Sequence, residues 1–168
     1  MVQDLLLLLF SLCGACLMSM LQSVNNRINS ITSLVSHMKK LPQAIPPVKH
    51  HFSKGVYARE MFMPKDLLIV GKVHKTKHLN IISQGKCVVV TPTRRLEIEA
   101  PYTFESHEGE QKVVYMLSDV VWTTIHLTES KDLAVIEEEC IAEEYDEQLV
   151  NKLINSFGGV PWFGQQQQ

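Results

Sequence analysis

Apolar residues recur at regular steps along the N-terminal part of the chain. Between residues 5 and 41 they alternate in steps of three and four, the a and d spacing of a heptad repeat. The narrow seam predicts a coiled-coil stalk over residues 1–41, and its β-branched residues favour three or more strands. Of these oligomers we favour a homotrimer. The seam positions are Leu17, Leu21, Val24, Ile28, Ile31, Val35 and Met38.

The beginning of this helical segment is apolar on every side. Residues 5–21 contain no charged residue and few polar ones, so lipid or another protein must cover them. Their number is at the short end of the range for a transmembrane helix, about 17–25 residues. We favour burial in another protein, with membrane contact through residues 5–21 as the alternative.

Prolines end the helix, and the pattern changes after them. Pro42, Pro46 and Pro47 favour extended polyproline geometry, which predicts a linker over residues 42–54. Short alternating apolar runs separated by turn residues follow over residues 55–128. Such runs predict a β-sandwich or barrel.

The remainder of the chain returns to helical spacing. Residues 129–158 predict two helices, and an acidic run on the first of them is typical of a solvated face. Residues 159–168 are expected to form a flexible tail. The fold class is therefore α+β: an N-terminal coiled-coil helix, a β-barrel and C-terminal helices.

Composition adds little positive evidence for a partner. The formal net charge of -2 provides no basic surface, so no nucleic-acid partner is expected. Cys13 and Cys16 have C-x-x-C spacing, but they lie in the apolar segment, where small packing residues are the favoured interpretation. Trp162 and Phe163 form an apolar tip near the end, which predicts docking to a neighbouring protein.

Three histidines are candidate metal ligands. His74 and His78 have the same parity along a strand, so their side chains would point the same way, and His126 is a candidate third ligand. A metal ion needs such nitrogens to converge within about 2.0–2.2 Å of one point. The favoured interpretation is polar filling of a barrel mouth without a cofactor; a divalent metal is the alternative.

The run from Gly71 to Gly85 resembles the first motif of the cupin family of small β-barrels. That motif is His-x-His-x3-Glu, with a glycine seven residues after the glutamate. Counting back from Gly85 puts His78 at the glutamate position, His74 at the second histidine position and Lys72 at the first. The resemblance therefore implies a cupin-like barrel with an incomplete ligand set, because a protonated lysine does not bind metal.

The second cupin motif, Pro-x-Gly-x-x-His, has a weaker counterpart in the run APYTFESHEG. Pro101 matches, Thr103 replaces the glycine and Ser106 falls on the histidine position. His107 is one residue further, and a shift of one residue along a strand turns a side chain to the other face. A bulge would be needed to bring His107 to the metal.

The runs GVYARE, APYTF and WTTIH together are similar to a group of small tailed-phage proteins. This resemblance implies a cupin-like bacteriophage protein located in the virion. We expect a structural fibre, spike or adaptor without enzymatic activity, in contact with capsid, portal or tail proteins. Two alternatives stay open: a membrane-tethered metal-binding cupin enzyme, and a host-membrane ejection or lysis protein.

Overall fold

The computed structural model describes residue 19 and residues 22–157. The chain divides into two compact units, Met1–Pro42 and Gln43–Gln168. The predictions for Leu17, Leu21, residues 5–18, Trp162 and Phe163 therefore lie outside the described residues.

The first unit contains a helix over residues 22–38, named α1. Val24, Ile28 and Ile31 are buried within the single chain, and Val35 and Met38 are partly buried. The predicted seam is therefore the least exposed face of α1. The trimeric coiled coil stays a prediction. Across the described part of the chain, no helix combines the length and apolar character needed to cross a membrane.

The second unit is mostly β-structure. Its described strands and helices are β1 (Val48–Ser53), β2 (Val56–Met63), β3 (Leu68–Val70), β4 (Val73–His74), β5 (His78–Gln84), β6 (Lys86–Val90), β7 (Arg95–Glu99), β8 (Tyr102–Ser106), β9 (Val113–Met116), β10 (Val120–Leu127), α2 (Leu133–Cys140), β11 (Ile141–Ala142) and α3 (Glu147–Phe157). Strand β1 occupies part of the segment expected to be a linker, because Val48–Ser53 pairs with β2 across a turn at Gly55.

The strands form two main sheets. The five-stranded sheet has the order β1-β2-β10-β5-β8, and the four-stranded sheet has the order β3-β9-β6-β7. All neighbouring strands are antiparallel. A third, two-stranded sheet joins β4 to β11. The β-structure is therefore a sandwich of two sheets, one of the two architectures that the alternating pattern predicted.

The main apolar core lies between the two large sheets. Met63, Ile82 and Trp122 come from the five-stranded sheet and pack in one cluster with residues of the four-stranded sheet. The latter include Val89, Ile98 and Met116. Strand alternation explains which residues enter the core, because every second residue of a strand faces the opposite sheet.

Gly85 makes the connection between β5 and β6 possible. Its φ of 89° is in the left-handed region, where residues with a side chain are strained. A Cβ atom at this position would lie 2.0 Å from the carbonyl oxygen of Asp119. The glycine that ends the cupin-like motif is thus required by the turn itself.

Each C-terminal helix has a buried apolar side. In α2 the side chain of Asp132 accepts a hydrogen bond from the backbone N–H of Ala134 and caps the helix, and Ile136 and Cys140 are its buried residues. In α3 the buried residues are Leu149 and Leu153. Both helices fall within residues 129–158, where the sequence predicted them.

Candidate metal centre

One row of side chains runs across the end of the five-stranded sheet. Phe52 is paired with Tyr57, and Tyr57 with His126. Continuing the register of β10 and β5 places His126 opposite His78, which is paired with Ser106. Residues paired in this way project from the same face of a sheet. His78 and His126 share their face with Ile82 and Trp122, so their side chains point into the sandwich.

His74 reaches the row from outside the sheet. It lies on the short strand β4, whose partner β11 follows directly after α2. Its carbonyl oxygen accepts a hydrogen bond of 2.8 Å from the N–H of Gly109, and its own N–H donates to the carbonyl of Glu110 at 3.3 Å. These backbone bonds hold the His74 ring against the row.

The structure brings together His74, His78 and His126, the three residues that the sequence offered as candidate ligands. One ring nitrogen from each lies within 4.8 Å of the others. The ring centroids of His74 and His78 are 4.0 Å apart, and those of His78 and His126 are 4.9 Å apart. We call these three residues the histidine cluster.

The cluster is held in the uncharged state. Burial lowers the pKa of His126 to about 4 and that of His78 to about 3, and it lowers the pKa of His74 further. The positive charge of Lys112 acts in the same direction on all three. Neutral imidazole is the form that binds metal.

The tautomer of His78 follows from its neighbour. Nδ1 of His78 lies 3.1 Å from the carbonyl oxygen of Thr76. A carbonyl only accepts hydrogen bonds, so Nδ1 carries the proton and Nε2 carries the lone pair. This arrangement is typical of histidines that bind a metal through Nε2.

The other two histidines retain unused nitrogens. Nδ1 of His74 and Nδ1 of His126 are buried and have no hydrogen-bond partner within the part of the chain that the structure describes. A buried polar atom without a partner is costly, and it marks a place where a ligand or ion would be accommodated. The donor set therefore fits a metal ion that accepts imidazole nitrogen.

Lys112 is a member of the site that the sequence analysis missed. Its side chain is buried, and Nζ lies 3.2 Å from Nε2 of His78. Burial lowers the pKa of Lys112 to about 8, against the opposing effect of the Glu110 carboxylate. Parity was the available signal, because Lys112 precedes two buried residues of β9, Val114 and Met116, at steps of two.

Glu110 is buried beside Lys112 and neutralised from another side. The guanidinium of Arg94 donates to its two carboxylate oxygens at 3.1 and 3.3 Å. The backbone N–H of His107 donates to the same carboxylate at 3.3 Å. This buried ion pair fixes the loop that leads into Lys112.

The remaining cupin-motif positions lie outside the cluster. Lys72 is exposed and forms an ion pair with Glu137. Ser106 is buried and accepts a hydrogen bond of 2.9 Å from the amide of Asn80. His107 is not part of the cluster. The position equivalent to the second-motif histidine therefore carries a hydroxyl, and no bulge places His107 in the histidine cluster.

Helix α2 packs close to the cluster. Ile136 and Cys140 form a small core with Tyr57, whose ring centroid is 6.4 Å from that of His126. The hydroxyl of Tyr57 is 2.8 Å from Nδ1 of His50. The histidine end of the sandwich is thus covered by a helix and a tyrosine.

Comparison with solved structures finds partial similarity to cupins. A cupin superfamily protein from Desulfitobacterium hafniense is 11% identical, over 53% of this chain and 84% of that protein, with a TM-score of 0.41. A cupin-2 domain containing protein from Shewanella frigidimarina is 9% identical, over 56% and 92%, with a TM-score of 0.41. A cupin protein from Bacteroides fragilis is 12% identical, over 55% and 85%, with a TM-score of 0.43.

Sequence-based comparison finds no relative. No protein-family model matches the chain, and no curated protein matches it. The solved structures named above are described as cupins, and nothing in their descriptions concerns a bacteriophage. The virion assignment therefore stays a prediction.

Proposed function

We propose that the second unit is a cupin-like metal-binding head in which His74, His78 and His126 hold a divalent transition metal. The observation that carries this proposal is the burial of three uncharged imidazoles with ligand atoms within 4.8 Å of one another. Imidazole ligands suit Zn²⁺, Cu²⁺, Ni²⁺ and Fe²⁺ better than Mg²⁺ or Ca²⁺.

The proposal is for binding and includes no reaction. A bound metal of this kind would supply Lewis-acid character at the covered end of the sandwich. The chain's own contribution is to keep the imidazoles neutral by burial, to orient His78 through Thr76 and to restrict access by α2 and Tyr57.

Metal titration of the full chain in detergent tests the proposal. Co²⁺ is the probe, because its visible absorption reports tetrahedral nitrogen ligation as well as affinity. His126→Ala should weaken binding at least about tenfold, since even residues that only support a ligand contribute that much. His51→Ala is the matched control, because His51 is exposed and lies outside the cluster. Equal affinities for the two variants, or no binding by the wild type, would contradict the proposal.

A second proposal concerns the role of the whole chain. We propose a structural component of a bacteriophage virion, a homotrimeric fibre, spike or adaptor anchored in capsid, portal or tail protein through residues 5–21. The support is the apolar seam of α1 together with the sequence resemblance to tailed-phage proteins. Insertion of residues 5–21 into a host membrane is the alternative anchor.

Light scattering of the full chain in detergent tests the trimeric stalk. The proposal expects the mass of a trimer, and Ile31→Lys should lower that mass because a charge would enter the seam. Asn29→Lys changes an exposed position of the same helix and should leave the mass unchanged. A monomeric wild type would contradict the stalk.

A further inference from the structure

The Nε2 atom of His78 has one lone pair, which can accept a hydrogen bond from Lys112 or bind a metal ion. Its Nδ1–H is committed to the carbonyl of Thr76, so Nε2 is the only ring nitrogen that can act as an acceptor or a ligand. Nζ of Lys112 lies 3.2 Å from this atom, within reach of an N–H···N hydrogen bond. The same lone pair cannot serve Lys112 and a metal ion at once.

The charge of Lys112 is also incompatible with a metal ion bound at His78. Its side chain is 6% exposed, so little water screens its charge from the cluster. A divalent ion bound to His78 would lie within a few ångströms of the ammonium, where repulsion between like charges is strong in a buried site. Metal entry therefore requires Lys112 to move away.

We propose that Lys112 is a built-in competitor of the metal, an internal cation that occupies the His78 ligand position when the site is empty. This inference rests on the proposed metal site and specifies its regulation. Without metal, Lys112 donates a hydrogen bond to Nε2 of His78, and this ligand atom is not free for a metal ion. The metal displaces the Nζ atom, and the wild-type site binds reversibly and more weakly than its three histidines alone would.

The test compares two substitutions of Lys112 by Co²⁺ titration of the full chain in detergent. Lys112→Met keeps much of the side-chain length but removes the charge and the N–H donors. It should bind Co²⁺ roughly ten- to hundredfold more tightly, the equivalent of one charged hydrogen bond. Lys112→Arg keeps the charge and the donors, and it should bind no more tightly than the wild type.

Additional variants keep the result interpretable. Lys112→Gln is a second neutral substitution in case the methionine variant does not fold, as judged by circular dichroism. Combining Lys112→Met with His126→Ala should abolish the gain, because the gain belongs to the histidine cluster. Affinity of Lys112→Met equal to or below that of the wild type would overturn the inference.

The outcomes also separate this inference from the metal site on which it depends. Binding by the wild type with no gain in the neutral variants would remove the role of Lys112 and leave the metal site standing. Absence of binding by both the wild type and the folded neutral variants would remove both. Binding only by the neutral variants would contradict metal binding by the wild-type chain and, with it, the displacement of Lys112 by the metal.

Discussion

At one end of the five-stranded sheet, Ile82 and Trp122 are buried among apolar side chains; at the other end of the same strands, His78 and His126 are buried among polar ones. Both pairs project from the same face, because they are separated by an even number of residues along β5 and β10. The difference between the ends is therefore one of side-chain chemistry on a common backbone.

The comparison shows how a sandwich divides stability and function. The apolar end removes large side chains from water, which favours folding. The histidine end buries groups that would otherwise be hydrated, and it retains Nδ1 atoms without partners. A site of this kind is maintained because the apolar end of the same strands holds the sheet together.

Asn80 marks the boundary between the two ends. Its side-chain oxygen accepts a hydrogen bond of 3.0 Å from Nε1 of Trp122, and its amide donates to Ser106 at 2.9 Å. The buried side chain of Asn80 therefore bonds Trp122 of the apolar core on one side and Ser106, the strand partner of His78, on the other. This satisfied boundary differs from the incomplete bonding of the cluster.

The largest effect is expected at the apolar end. Ile82→Ala should lower the free energy of unfolding by about 2–5 kcal/mol, because the side chain is fully buried and its removal leaves a cavity. Leu79→Ala on the same strand is the control: Leu79 is 47% exposed, and its loss should cost within about 0.5 kcal/mol. Denaturant unfolding measures the free energy for both variants. Equal losses would contradict the greater contribution of the apolar end to stability.

The next effect is the pH dependence of stability at the histidine end. Burial lowers the pKa of His126 to about 4 in the folded chain, from 6.5 for an exposed histidine. Between these values only the unfolded chain takes up the proton, so stability is fully present above pH 6.5 and is lost as pH falls toward 4. The contribution of His126 is at most about 1.4 kcal/mol per pH unit. The charged or titratable groups acting on it are Lys112, Arg59, His74, His78 and Tyr57.

His126→Phe isolates this contribution. In the presence of a chelator, the variant should lose stability less steeply than the wild type between pH 6.5 and 4, with the remaining slope coming from the other histidines. His51→Phe at an exposed position is the control and should leave the steepness unchanged. An identical pH profile for His126→Phe and the wild type would show that His126 is not held neutral.

The smallest effect is expected at the boundary. Trp122→Phe removes the N–H that bonds Asn80 and leaves a buried amide oxygen unsatisfied, which should cost about 1–3 kcal/mol. Tyr115→Phe removes an exposed hydroxyl bonded to Asp66 and should cost less. Thermal unfolding distinguishes the two, and a smaller loss for Trp122→Phe than for Tyr115→Phe would argue against Asn80 as a satisfied boundary.

Much of the fold could be predicted from the local pattern of apolar and polar residues. The alternating apolar runs over residues 55–128 predicted β-structure, and Gly85 was singled out as the end of the cupin-like motif. The strand β1 was missed because Pro46 and Pro47 dominated the interpretation of their segment, although Val48–Ser53 finds a partner in β2. Strand pairing is a non-local property, and a proline-rich neighbourhood does not reveal it.

The candidate site was predicted in part. Parity suggested His74 and His78 as a pair on one strand, whereas the structure places them on different strands, β4 and β5. His126 was suggested only because imidazole is a common metal ligand. The register between β10 and β5 brings it to the cluster. Lys112 carried no motif, and beyond its parity with Val114 and Met116 it was revealed by the 3.2 Å between its Nζ and Nε2 of His78.

The sequence by itself determined the elements whose cause is local: the apolar face of α1, the strand alternation, the Gly85 turn and the capped start of α2. The tertiary structure decided which polar groups meet. Three histidines and one lysine from separate segments share one buried volume because antiparallel register and the packing of β4 against β11 bring them there. Burial then sets their charge, and desolvation is a property of the assembled fold rather than of any residue within the chain.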